Sequence, residues 1–300
     1  MLSPLAESAS TFGALQGRSM TEDRLMREAA LQLKGTRKLV VLTGAGVSKE
    51  SGIPTFRDAQ DGLWARYDPM DLATREGFLR NPAMVWEWYS YRFGMVEGAR
   101  PNPGHVAIAE MEGIFPQVSV ITQNIDGLHQ AAGSTNVVEL HGNIRRYKCL
   151  DGRHTGFTRA GLAAQTQIPP VCPHCGALLR PDVVWFGELL PADAIHRAFD
   201  LCKGCDAMLV VGASGEVEPA ASLPVHAAHS GALVIDVNPD RGQNVRWADI
   251  FLEGPSGEIL PRLVEALRIA DCELRIREYN FPKCPNPGPG GFATTGIHWY

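Results

Sequence analysis

The chain has 300 residues, 45% hydrophobic and 20% charged, with a net charge of −5, enough for one large globular domain or a large domain with a smaller insert. Acids and bases intermix without a long basic run, which excludes the electrostatic footprint of a specific nucleic-acid binder. No apolar run approaches the roughly 18 residues of a membrane span, and seven scattered cysteines argue against a disulfide framework and for a reducing, cytoplasmic setting, or a mitochondrial one in a eukaryote.

In chain order, residues 1–20 are Ser-rich, lack an apolar signal region and are expected to be flexible. Glu22–Leu33 has a helical pattern. Lys38–Thr43 (KLVVLT) is a β-branched run of buried-strand length, and TGAGVSKESGIPTFR (43–57) follows it directly. Glycines leaving a strand end stand where open α/β sheets hold phosphates, although without a third glycine the turn alone fits a tight strand-to-helix connection as well. Residues 55–104, with aromatics, charges and prolines, suggest a helical and loop segment laid over the sheet. His105–Met111 is helical in pattern, Val118–Gln123 and Val137–Leu140 are strand-like, and residues 145–180, rich in Cys, Arg, Pro, Gly and His, read as a small insert with little core of its own. Ala207–Gly212 and Ala232–Val237 are further strands and Pro261–Ile269 a helix. The alternation predicts an α/β fold, a Rossmann-like parallel sheet with helices on both faces. The C-terminal tail is 271–300, and from Cys284 (CPNPGPGGFATTG) it is too Pro/Gly-rich to pack as a regular element.

Three stretches together exceed chance: TGAGVSKESGIPTFR, TQNIDGLHQAAG (122–133) and ELHGN (139–143). They resemble the sirtuins, NAD-dependent protein lysine deacylases, over roughly Leu25 to Leu267, which places the catalytic domain at 21–270. The resemblance implies NAD as cofactor, with Gly44, Ala45 and Gly46 admitting its pyrophosphate, Ser48 adding a hydroxyl, Arg57 pairing with phosphate or ribose oxygens and Phe56 shielding the ribose. Gln123, Asn124, Ile125 and Asp126 would form the nicotinamide and ribose pocket. His141 would be the general base, with Asn124 as a second catalytic residue. Gly212, Ala213, Ser214, Asn238 and Pro239 match adenine-ribose contacts; Ala213 stands where the family usually has Thr. The implied reaction joins the acyl-lysine carbonyl oxygen to the ribose as nicotinamide leaves, then releases free lysine and O-acyl-ADP-ribose. A non-catalytic NAD-binding module and a mono-ADP-ribosyltransferase are the rival readings.

Tyr89 and Arg92 in VWEWYSYRFG, three apart on a helix, offer a phenol and a guanidinium on one face. Class III sirtuins, which remove succinyl, malonyl and glutaryl groups, carry such a pair with a small residue nearby, here Ala73. Val183-Val184-Trp185-Phe186-Gly187-Glu188 is expected as an edge strand that pairs with an acylated-lysine peptide, with Val184, Trp185, Phe186 and Gly187 as its substrate contacts. Cys172 and Cys175 form half of a structural zinc site, a zinc-ribbon-like insert. Upstream stands Cys149, but position 152 is Gly, so the cysteine set is incomplete, and Asp151, His154 or His174 could complete it. Cys202 and Cys205 read as buried inert thiols. A monomer without membrane or specific nucleic-acid partners is expected.

Overall fold

A computed structural model describes residues 22–54 and 68–279; Phe56, Arg57, the segment 1–20 and most of the tail lie outside them. The main body is a six-stranded parallel sheet made of β1 (Lys38–Thr43), β2 (Gln117–Thr122), β3 (Val137–Glu139), β7 (Ala207–Val211), β8 (Leu233–Asn238) and β9 (Ile250–Glu253). Its order is β3-β2-β1-β7-β8-β9. The chain builds outward from β1 on one side and from β7 on the other, so the switch point lies between β1 and β7. In open α/β sheets a ligand crevice opens there, beyond the strands' carboxyl ends.

Strand residues alternate between two apolar layers. Leu39, Val41, Val120, Leu209, Val211 and Ile235 face α1 (22–32), α6 (Pro103–Glu110) and α10 (Ser256–Tyr279). Val40, Leu42, Ile121, Met208, Val210 and Val234 face α8 (Ala192–Gly204) and α9 (Leu223–His229). Both faces are covered, as a parallel sheet requires. Five expected strands are present with ends shifted by one residue at most, whereas β9, α8 and α9 escaped the reading, and α10 begins before Pro261 and runs to Tyr279, into the expected tail.

Four short helices complete the architecture around the strand ends: α2 (Gly46–Lys49), α3 (Pro69–Leu72), α4 (Arg75–Arg80) and α7 (Leu128–Ala132). The longer α5 (Pro82–Gly98) joins α3 and α4 in a helical layer, borne out within the described residues. It starts on Pro82 behind an Asn81 cap whose side chain accepts from Met84 N. Its aromatic face packs into a third cluster with Phe78, Trp88, Tyr89, Phe93 and Trp185.

The expected small insert is a three-stranded antiparallel sheet of β4 (Gly142–Cys149), β5 (Phe157–Thr158) and β6 (Leu179–Val183), in the order β5-β4-β6. It therefore extends past the expected limits of 145 and 180 at both ends. The expected edge strand is corrected: β6 stops at Val183, and Val184–Glu188 joins no ladder. Instead Val184 N donates to His141 O and Phe186 N to Ala73 O, each at 2.9 Å, and Glu188 N closes a turn on Trp185 O. That segment bridges the two sheets and the helical layer.

Candidate functional site

The glycine turn after β1 packs directly on the turn after β7. Gly44 N donates to Val211 O and Gly46 N to Gly212 O, and a Cβ on Gly46 would lie 2.7 Å from Gly212 Cα. Gly212 has φ +59°, and a Cβ there would meet Val47 N at 2.4 Å. No side chain fits at either contact. Gly44, Ala45, Gly46, Gly212 and Ala213 thus form one floor at the switch point, with exposed Ser214 and Pro239 and the buried Asn238 beside it.

Behind that floor lies a buried polar network. Ser48, 1% exposed, donates from Oγ to Asp126 Oδ2 at 2.7 Å and accepts from Asn124 Nδ2 at 3.0 Å. Its hydroxyl is therefore turned toward the β2 loop. Asp126 Oδ1 accepts from Leu128 N, and Asn124 N donates to Thr122 Oγ1. Every one of these buried groups has a partner, which fixes the loop Gln123-Asn124-Ile125-Asp126 in one conformation.

Sequence reasoning missed one member of this network, His105, and read His129 only as a neighbour that could line the pocket. His105 is fully buried with Nε2 3.4 Å from Ser48 Oγ, and its ring lies 4.9 Å from that of His129. His129, expected as a pocket-lining neighbour, is 1% exposed with Nε2 2.9 Å from Thr43 Oγ1, and burial holds its pKa down to about 3, so it stays neutral. A usable signal was the stretch Asn102-Pro-Gly-His105, a capping box in which Asn102 Oδ1 accepts from Gly104 N and His105 N.

His141 stands at the seam, between β3 of the parallel sheet and β4 of the small one. Gly142, φ +78°, makes the crossover, since a Cβ there would strike Asp182 O. His141 Nδ1 lies 2.9 Å from Gln123 O. A carbonyl only accepts, so Nδ1 carries the hydrogen and Nε2 keeps its lone pair. Burial lowers the pKa below the usual imidazole value, against the opposing pull of the Gln123 hydrogen bond.

Beyond the seam, Tyr89 and Ala73 line the aromatic cluster with Trp185, while Phe186 and Gly187 are exposed. Arg92 lies 5.2 Å from the Trp88 ring centre, and among the described residues no carboxylate lies within salt-bridge distance of it. Burial lowers its pKa, with Tyr89 and Tyr91 opposing.

At the far end of β4, Cys149, His154, Cys172 and Cys175 bring four ligand atoms within 4.8 Å of one another. His154 Nδ1 is 3.7 Å from Cys149 Sγ and 3.5 Å from Cys172 Sγ. A tetrahedral zinc with usual Zn–S and Zn–N lengths needs S···N edges of about 3.5 Å, so the donors fit the ion. Of the three candidates for the missing ligand, His154 joins the group; Asp151 pairs with Arg153 and accepts from Cys149, and His174 stacks on His154 at 5.1 Å. Cys202 and Cys205 sit in the core under the sheet, their thiols pushed up by burial to about 12 and about 11, inert as expected.

The Sir2 family model matches residues 44–219, which span the glycine floor, the Gln123–Asp126 loop and His141. The chain belongs to the Sir2 family. It is 54% identical over 214 residues, 71% of this chain and 87% of the relative, to NAD-dependent protein deacylase 1 of Caldanaerobacter subterraneus subsp. tengcongensis. It is 48% identical to the NAD-dependent protein deacylase of Ralstonia nicotianae, covering 79% of this chain and 95% of that one. A solved Sir2 homologue in complex with NAD superposes with a TM-score of 0.73 at 43% identity over 83% of this chain and 94% of that one. Sir2Af2 bound to a myristoylated histone peptide gives 0.67 at 37% identity, covering 84% and 99%. Among the described residues no helix is long and apolar enough to cross a membrane.

Proposed function

We propose that this sirtuin is an NAD-dependent protein lysine deacylase whose pocket favours acidic acyl groups, succinyl and malonyl, and also accepts acetyl. The observation that carries the reading is His141, whose Nδ1 is committed to the Gln123 carbonyl, leaving Nε2 as a neutral base at the seam. Its partners in the reading are the buried Asn124 and Asp126. The named relatives, deacylases dependent on NAD, support the same activity.

When bound, NAD supplies a nicotinamide leaving group and a sugar carbon that takes up the acyl oxygen. Gly44, Ala45 and Gly46 would admit its pyrophosphate, with Phe56 and Arg57 from the adjoining segment. Asn124, Ile125, Asp126 and Gln123 would hold the nicotinamide end, and Gly212, Ala213, Ser214, Asn238 and Pro239 the adenosine end. His141 Nε2 is the atom suited to take a proton from a sugar hydroxyl at neutral pH. Val184, Trp185, Phe186 and Gly187 would hold the acyl-lysine peptide, and Cys149, His154, Cys172 and Cys175 a structural zinc.

Arg92 supports the acidic preference. A largely buried cation lacking a carboxylate partner among the described residues gains from an anion that enters beside it. The test is mass analysis of products after incubating protein and NAD with succinyl-, malonyl- or acetyl-lysine peptides. O-acyl-ADP-ribose is expected, largest from the acidic peptides. In Arg92→Met, turnover of succinyl peptides should fall at least tenfold with acetyl turnover largely kept; equal loss on both peptides would remove the acyl preference, and a mass gain on protein would favour ADP-ribosyl transfer.

A further inference from the structure

Tyr89 is not a free phenol. Trp185 Nε1 donates to Tyr89 Oη at 2.9 Å, joining two residues 96 positions apart. An indole N–H can only donate, so the phenol oxygen is the acceptor and its own proton must leave in another direction. Among the described residues no protein acceptor takes that proton. The neighbouring group on the same helix face, Arg92, is again only a donor. Phenol and guanidinium, three residues apart on α5, are thus two donors for which no protein acceptor is found among the described residues.

Trp185 is itself held from three sides. The Arg180 guanidinium lies 3.2 Å from its ring centre, and Arg180 pairs through both terminal nitrogens with Glu188. Glu188 Oε2 accepts from Trp185 N at 3.0 Å. Phe78 packs against the ring at 5.4 Å between centroids. Arg180 and Trp185 are 1% and 2% exposed, so the indole has little freedom to turn.

We propose that Trp185 is a specificity-determining positioning residue: its indole N–H, aimed by the Arg180–Glu188 clamp, turns the Tyr89 hydroxyl proton toward the acyl group and so selects acidic acyl chains. This rests on the acidic-acyl reading above. A phenylalanine at 185 would keep ring and packing but free the phenol to rotate and to spend its proton elsewhere.

The experiment measures the ratio of kcat/KM on succinyl-lysine to that on acetyl-lysine peptide in wild type, Trp185→Phe, Tyr89→Phe and the double variant. The ratio should fall about tenfold in Trp185→Phe, the scale of one hydrogen bond to a charged group, with the loss in KM. The double variant should match Tyr89→Phe alone. An unchanged ratio in Trp185→Phe, or two losses that multiply, overturns the proposal. A second measurement needs no change at Trp185: the indole N–H resonance of Trp185 in the wild-type protein should move upfield in Tyr89→Phe, and an unmoved resonance overturns the proposal. Wild type inactive on acidic acyl peptides overturns this inference and the acyl preference together; a wild type that needs Arg92 for them, yet keeps its ratio in Trp185→Phe, overturns this inference alone.

Discussion

The two sheets of this molecule are stabilised differently. The parallel sheet buries apolar side chains on both faces, and its central strand β7 is buried at every position. Among the described residues the small sheet's own cluster is Tyr147, Cys149, Leu162, Cys172 and Leu179, with a few partly buried neighbours, while Ile144 and Val183 at its other end pack into the helical layer; two of the five are cysteines of the candidate zinc group. It also carries ionic ties: Arg146 pairs with Glu139 and Asp182, and Lys148 with Asp182, part-exposed and individually weak, beside the buried Arg180 paired with Glu188. One region is held by area removed from water; in the other, four side chains placed to hold a zinc ion lie where the apolar core is small. The two meet in a single strand, β4, which begins beside His141 and ends on Cys149.

The sharpest way to break this comparison is to remove the ligand set alone. Cys172→Ser, or a strong chelator, should unfold β4–β6 and bring deacylation to background, because His141 and Val184 are anchored to that sheet's first and last strands. Helical circular dichroism, which reports the parallel body, should remain. Full retention of activity after metal loss would show that the small sheet stands on its own core.

His141→Ala tests the seam without touching either sheet's support. Loss of a general base should lower kcat by about 10³-fold with the melting temperature nearly unchanged. Since burial lowers the His141 pKa, the base stays unprotonated further into acid than an ordinary imidazole. The acid limb of kcat/KM should therefore lie below about pH 6.5; a limb well above that value would reassign the base.

The contrast between the sheets also explains what the sequence made legible. KLVVLT, AMLVV and LVIDV are apolar runs whose burial follows from composition alone, so the parallel body could be read almost strand for strand. GNIRRYKC in β4 carries three cations, and composition and cysteine spacing pointed to an insert without revealing its strands. IFLE in β9 was too short to stand out. In the site, the linear stretches around Gly44, Asn124 and His141 were visible because neighbours in sequence are neighbours in the cleft. The Ser48–His105 approach and the Trp185–Tyr89 bond join residues 57 and 96 positions apart, and no local pattern encodes them.

The smallest effect concerns a fully buried acid in the apolar sheet. Asp236 on β8 is fully buried; Asn238 Nδ2 donates to its Oδ1, while Oδ2 has no partner among the described residues. Burial raises its pKa to about 6 from an ordinary 3.8, with Asn238 opposing. Below the unfolded value both states hold the proton and nothing is lost. As pH rises from 4 toward 6 the unfolded chain ionises more readily, so the folded state loses stability across that window and does not regain it above. Asp236→Asn keeps the shape and removes the ionisation. Its melting temperature relative to wild type should climb between pH 4 and 7, by no more than ~3 kcal/mol expressed as stability. A difference that stays flat with pH would mean that Asp236 is ionised and satisfied in the fold, and that the parallel sheet, like the small one, draws on a polar tie.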